Sequence, residues 1–366
     1  MVAKPFRTAI IGLGAVAEPH IAAYCDLADV EVAAVVDPRQ DRVEEICARY
    51  GVAGFSSCEA LLAAMTPDIA CVLTPAATHR EITVQCAAAG VHVLCEKPMA
   101  VEVSDAEAMA AACDEAGVRF FYGSSYRYLP AVQAARGLIR AGAIGAVRTI
   151  TERVVTGAGE AAYRPMSPAH YPVGGPGGWG YGLVDHGIHM LDVFPWLCDS
   201  PIDRLMGQGD RAGAAARPEY AVFALRSGAM GFLNYDGCTR PVELPGEGVF
   251  SDSRQWIAGR GWMGEVGAWD ARPGHIDIHG GEGALRVFHY ANKLFLNTSG
   301  VPREVPVSGR PAPWHFGRQL EDFCDALEQD RAPAVSSDDG LQALRALHAI
   351  YASEASGGWR WISAHP

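Results

Sequence analysis

With 366 residues the chain exceeds what one small core needs, and its length favours two domains. Apolar residues make up 49% and charged residues 20%, which excludes a disordered tail or a charge-rich coiled coil. Lys+Arg of 30 against Asp+Glu of 42 gives a net charge of −12 with no concentrated run of Lys or Arg, so no nucleic-acid partner is expected.

Lys4 and Arg7 ahead of an apolar run ending in Ala15-Val16-Ala17 imitate a secretion signal, but a buried strand and tight turn also account for Gly12 and Gly14. From there to Gly123, apolar runs at Thr8–Ile11, Val30–Val36, Ile69–Leu73, Val91–Cys95 and Phe120–Tyr122 alternate with helical stretches. The helices are read at Ala15–Leu27, Arg39–Tyr50, Cys58–Met65, His79–Ala89 and Ser104–Ala116. Unbroken hydrophobicity means strands buried on both faces, and the alternation predicts a doubly wound parallel sheet of the Rossmann type in an α/β domain. Gly51, Gly90 and Gly117 are read as helix stops and Ser104 as an N-cap.

Beyond Pro130 the pattern changes. Ala131–Ala141 reads as one more helix, and Val147–Val155, Ala221–Leu225, Ala229–Tyr235 and Leu285–Ala291 read as strands with no helices between them. That predicts an α+β domain with a large, mostly antiparallel sheet, closed by helices at Phe316–Gln329 and Gly340–Ser356. The expected division is 1–126 for the dinucleotide-binding domain and 127–366 for substrate binding and oligomerisation. The Gly- and Trp-rich stretch 241–273 is read as a long loop or arm. Ten cysteines without a Cys-x-x-Cys pair point to a reduced, cytoplasmic protein, and no apolar run reaches the roughly 18–20 residues of a membrane helix.

Gly12-Leu13-Gly14-Ala15-Val16-Ala17 is a G-x-G-x-x-A run between a predicted strand and a predicted helix. The first glycine allows the turn, the second lets a pyrophosphate approach the backbone at Ala15 and Val16, and Ala17 keeps the helix close to the sheet. Asp37 ends the next strand, where an acid accepts from ribose hydroxyls and repels a 2′-phosphate; a helix-capping role before Pro38 is the competing account. NAD is the expected cofactor, with NADP left open by Arg39 and Arg42.

Glu96 and Lys97, in Cys95-Glu96-Lys97-Pro98, emerge at the end of a parallel strand, where such sheets bind ligands. Further on, Asp185, His189 and Asp192 fall at i, i+4 and i+7 of an apolar segment, one polar stripe if the segment is a helix. Such a stripe faces either a site or an internal polar network. His186 points away from it on that helix, so no metal is expected. His275, Asp277 and His279 alternate along a strand as one polar sheet face.

Together these segments resemble the Gfo/Idh/MocA family, named for glucose–fructose oxidoreductase and inositol dehydrogenase, over nearly the whole chain. The resemblance is carried by GLGAVA, TPAATH at 74–79, CEKPMA at 95–100, SYRYLPAV at 125–132, GLVDHGIHMLD at 182–192, IDIHGGEGALRV at 276–287 and the closing DGLQALRALHAIYASEASG. It implies catalytic roles for Lys97, Asp185 and His189, and cofactor contacts from Thr74, Pro75, His79, Glu96, Lys97 and Arg127. It also implies a cis Pro98. Ala76 and Ser125 stand where the family often has Asn. The implied reaction is oxidation of a secondary alcohol on a sugar, polyol or sugar acid, with Lys97, Tyr126, Arg164, Asp185 and His189 at the substrate. Two alternatives stay open: an internal redox cycle with retained NAD giving isomerisation, epimerisation or hydrolysis, and a non-catalytic NAD-sensing regulator. The resemblance further implies a homodimer or homotetramer formed through the second domain's sheet.

Overall fold

The computed structural model describes residues 5–155, 182–209, 218–236 and 275–362. It divides into two compact units, Met1–Ser125 with Pro313–Leu341, and Tyr126–Ala312 with Gln342–Pro366. Residues 313–341, expected in the second domain, therefore group with the first.

In the first unit β1 (Phe6–Ile11), β2 (Val30–Val36), β3 (Ala53–Phe55), β4 (Ile69–Val72), β5 (His92–Glu96) and β6 (Phe120–Gly123) form a six-stranded sheet in the order 3-2-1-4-5-6. All its neighbouring pairs are parallel. Between the strands lie α1 (Ala17–Tyr24), α2 (Gln40–Tyr50), α3 (Cys58–Ala64), α4 (His79–Ala88) and α5 (Val103–Ala116). The doubly wound expectation is met, and the order reverses between β1 and β4, which opens a crevice at their carboxyl ends. The sequence pattern missed β3, whose three residues are too short and too exposed to leave an apolar run. Ser104 is not an N-cap: α5 starts at Val103 with Glu102 before it.

Residues 313–341 belong here because α8 (His315–Glu328) buries Phe316, Leu320 and Phe323, one stripe at helical spacing. Phe316 stacks on His20 of α1 at 3.9 Å, Phe323 meets Phe121 of β6 at 5.1 Å, and Tyr122 N–H donates to Val335 O.

His315, at the start of α8, is buried, and that burial, with a smaller push from His20, lowers its pKa to about 3. An unfolded imidazole binds a proton near pH 6.5, so between pH 6.5 and 3 the unfolded state holds more protons and stability falls as the pH falls. By pH 4.5 this one group is expected to cost roughly 2–3 kcal/mol. His315→Leu should flatten the urea midpoint between pH 6.5 and 4.5 relative to wild type; parallel curves would assign the acid sensitivity to other groups.

The second unit contains α6 (Pro130–Arg140), β7 (Val147–Val155), α7 (Ile188–Leu197), β8 (Ile202–Gln208), β9 (Glu219–Leu225), β10 (Met230–Asp236), β11 (Ile276–Gly280), β12 (Ala284–Phe288), β13 (Lys293–Asn297), β14 (Arg303–Val305) and β15 (Arg360–Trp361). Helix α9 (Ser337–Ser356) enters this unit from Gln342 onward. The sheet has nine strands in the order 14-13-12-11-7-10-9-8-15. One pair, β7 with β10, is parallel and the rest are antiparallel. Its faces alternate as the pleat requires: in β10 Leu233 and Tyr235 are buried and Phe232 is exposed. Asp277 of β11 pairs across to Arg286 of β12 at 2.6 and 2.8 Å and to His275 at 3.2 Å, the polar strand face expected there. Among the described residues all cysteines are free and no helix is long and apolar enough to cross a membrane.

Candidate active site

In the first unit the candidate cofactor residues gather at the carboxyl ends of β1, β2, β4 and β5. Gly12 follows β1 with φ +100°, and a Cβ there would stand 2.8 Å from the backbone of Leu73 and Thr74, so only glycine fits. Gly14 and Ala15 are exposed, and nothing lies within 4 Å of where a Gly14 side chain would begin. Three residues on, α1 begins, and its N-cap Val16 makes no side-chain cap bond. Backbone donors at a helix start beside an open glycine fit a dinucleotide pyrophosphate. Gly14→Val is expected to abolish NAD binding in calorimetric titration while keeping the wild-type melting temperature, whereas Gly12→Ala should lower both. NAD bound at wild-type affinity by Gly14→Val would refute this placement.

Asp37 is buried at the end of β2. Its Oδ2 accepts from Leu13 N–H (2.8 Å) and Arg39 Nη2 (3.1 Å), and its Oδ1 accepts from Arg39 N–H (3.0 Å) and Nε (2.9 Å). Burial pushes the carboxyl up, but the Arg39 guanidinium and the two backbone N–H groups outweigh it and hold the pKa low. All four lone-pair positions are thus taken, and a ribose hydroxyl gains access only by displacing Arg39, whose side chain is 57% exposed.

Thr74 is half-buried and Pro75 exposed just past β4, where Thr78 Oγ1 lies 2.9 Å from Pro75 O, to which it can donate, and 2.8 Å from Thr74 Oγ1, from which it can accept. His79 is buried, its ring nitrogens 2.7 Å from Thr74 O and 3.2 Å from Met99 O. Burial lowers its pKa in spite of these carbonyls; the neutral ring has one N–H, and the shorter contact assigns it to Thr74 O in the loop after β4. The Lys97–Pro98 bond is cis. Glu96 is buried and held from two sides: Oε2 accepts from Lys97 N–H (2.9 Å) and Oε1 lies 3.2 Å from His20 Nε2. His20 Nδ1 lies 2.7 Å from Tyr24 OH, so a proton on Nε2 satisfies both contacts. His20 and Tyr24, which sequence reasoning missed, fix the strand end that presents the half-buried Lys97.

In the second unit Gly182–Gly187 is a π-helical turn that runs into α7. Glu219 Oε2 accepts from the N–H groups of Gly182 (2.6 Å) and Leu183 (3.2 Å). A Cβ on Gly182 would lie 2.4 Å from that of Tyr235, so glycine lets the turn rest on β10. The wider turn overturns the expected phase of the polar stripe. Asp192 is drawn to Arg127, whose Nε donates at 2.8 Å and whose Nη2 donates to the other carboxylate oxygen; both residues are buried. Arg127, expected at the cofactor, gives its Nε and Nη2 donors to Asp192. His189 is buried and stacks on Tyr126 at 3.9 Å and 9°, while Asp185 is half-buried.

His186 does not point away. Its Nε2 lies 3.1 Å from both Glu152 oxygens, and its ring is 5.7 Å from Tyr126 and 6.3 Å from His189. Tyr235 OH donates to Glu152 Oε2 at 2.7 Å, Tyr290 OH lies 3.4 Å from His186 Nδ1, and Tyr290 and Tyr126 share a hydrogen bond. Burial pushes the Glu152 carboxyl up, but His186, His289 and the Tyr235 hydroxyl outweigh it and keep it low. Burial also lowers the His289 imidazole to about 4. The one sequence signal of this network is Glu152, a charge in the buried register of an apolar strand. Arg164 and the 241–273 arm lie outside the described residues.

A parallel sheet of Rossmann order with a glycine turn after β1, in one chain with a second unit built on a mixed sheet, is an architecture that nicotinamide-dependent oxidoreductases use. The chain belongs to the Gfo/Idh/MocA family. Residues 6–124 match its oxidoreductase domain of NAD-binding Rossmann fold, and residues 132–259 match its C-terminal domain. The chain is 32% identical over 203 residues to D-glucoside 3-dehydrogenase of Escherichia coli, covering 55% of this chain and 56% of that protein. It is 25% identical over 367 residues to D-apiose dehydrogenase of Paraburkholderia graminis, covering 97% and 89%. It is 34% identical over 129 residues to 2,7-anhydro-N-acetylneuraminate hydratase of E. coli, covering 35% and 34%. The fold is similar to that of aldose–aldose oxidoreductase from Caulobacter crescentus, solved with glycerol (TM-score 0.79, 24% identity, 98% of this chain and 100% of that one).

Proposed function

We propose that the protein is an NAD-dependent dehydrogenase acting on a secondary hydroxyl of a sugar, polyol or sugar acid. The observation that carries this reading is the conjunction, on one sheet, of the Gly12–Gly14 cradle, Asp37 and the braced strand end that presents Lys97. The names of the glucoside and apiose dehydrogenase relatives support the substrate class. A bound nicotinamide supplies the hydride acceptor, which is the redox chemistry no side chain provides. Lys97 stabilises the developing alkoxide through its ammonium, and His189, a type of group that titrates near neutrality, takes the hydroxyl proton. Asp185 orients the substrate-side polar groups, and Tyr126 and Arg164 contact the sugar. Asp37 favours NAD over NADP once Arg39 yields to the ribose.

A second reading, prompted by the relative named as a hydratase, is an internal redox cycle in which NAD is reduced and reoxidised within one turnover. Incubating the protein with NAD or NADP and a pool of sugars, polyols and aldonic acids, while following both reduced-nicotinamide absorbance and sugar consumption, separates the two. Absorbance growing with substrate consumption supports the dehydrogenase, consumption without absorbance supports the cycle, and neither refutes both.

The open face of the second unit's sheet exposes Tyr220 and Phe232, and we take it as the surface that pairs with a second copy. Sedimentation at micromolar concentration should show a dimer or tetramer; a monomer would refute the pairing.

A further inference from the structure

We propose that Glu152, His186 and His289 form a three-ligand seat for one divalent transition-metal ion, with Zn²⁺ as the species its donors suit. The three residues come from separate parts of the chain: β7, the π turn and the residue just past β12. Their ligand atoms nevertheless lie within 4.8 Å of one another. A tetrahedral zinc site with bonds of about 2.0–2.1 Å sets neighbouring ligand atoms on the order of 3.3 Å apart. Here His186 Nε2 stands 3.1 Å from Glu152 Oε1, and His289 Nε2 stands 3.6 Å from the same oxygen. Two imidazoles and a carboxylate suit zinc, and three protein ligands leave a fourth position for an oxygen.

An ordinary ion pair between Glu152 and His186 explains only part of this arrangement. The His289 side chain is fully buried, and among the described residues neither of its ring nitrogens makes a hydrogen bond. A buried polar group left in that state costs roughly 1–3 kcal/mol. A cation held on its Nε2 supplies the missing partner, which a Glu152–His186 pair does not. The outer contacts also fit. Tyr235 OH holds Glu152 Oε2, leaving Oε1 toward both imidazoles, and Tyr290 OH lies on the far nitrogen of His186. Partners of this kind fix the tautomer and aim of metal ligands. His186, with its side chain 14% exposed, is the one ligand open to solvent. The seat does not depend on the dehydrogenase reading, because metal content is measured without any substrate.

The full chain, stripped with a chelator and dialysed against Zn²⁺ at low micromolar free concentration, should retain one equivalent by plasma mass spectrometry. His289→Ala and Glu152→Gln should weaken Zn²⁺ binding by more than about tenfold, and Tyr235→Phe, which keeps the ring packed under Gly182, by roughly 10–100-fold. Should the ligand variants fail to fold, wild type loaded with Co²⁺ decides alone: an intense visible ligand-field band, displaced by Zn²⁺, supports the seat. No retained zinc in wild type, zinc held equally by folded His289→Ala, or no such cobalt band overturns it.

Discussion

Replacing Lys97 by alanine is expected to cut turnover by about 10²–10³-fold, the loss that follows removal of one preorganised donor from a developing oxyanion. NAD affinity should change little. The cofactor cradle is built from the backbone around Gly12 and Gly14 and from Asp37, none of which draws on the Lys97 side chain in the contacts described. The strand end should also hold, because Glu96 is anchored by His20 and by the Lys97 backbone N–H, which alanine keeps. Steady-state kinetics on the substrate found in the pool, alongside calorimetric NAD titration, tests the split. Equal losses in turnover and affinity would place Lys97 in the cradle instead of at the hydroxyl.

The parts of the molecule legible in the sequence are those encoded locally. Buried parallel strands write continuous apolar runs, and the Gly12 turn, Asp37 and the Glu96-Lys97 strand end each follow directly from one such run. What escaped was non-local or off-period. The 315–328 helix reads as amphipathic from its sequence, but nothing in its own residues says that Phe316 and Phe323 dock on α1 and β6 and not on the nearer sheet. A helix of 3.6 residues per turn turns His186 away from the stripe, but Gly182–Gly187 is wound wider and brings it in. Glu152 lies on β7 and His289 just past the end of β12, and the pairing of the strands, not sequence spacing, brings them to the same place.

Asp192→Ala should destabilise the protein by about 3–5 kcal/mol, because it strands a buried guanidinium. The Arg127 and Asp192 side chains are 6% and 1% exposed, so solvent screens their pairing little. Asp192 alone would serve equally well as a member of a catalytic stripe, and Arg127 alone as a cofactor contact, so single-variant activity loss cannot separate those roles from structural failure. The double variant Arg127→Met/Asp192→Leu does, since an apolar pair of similar bulk commonly matches or exceeds a buried ion pair in stability. We expect its urea midpoint to lie well above that of either single variant, and its NAD affinity to stay near wild type if the Nε and Nη2 contacts to Asp192 are the role of this guanidinium. Recovered stability with lost NAD binding would return Arg127 to the cofactor. A double variant no more stable than Asp192→Ala would mean that the pair contributes through further contacts of the guanidinium, among them its approach to Trp196, whose ring centroid is 5.5 Å away.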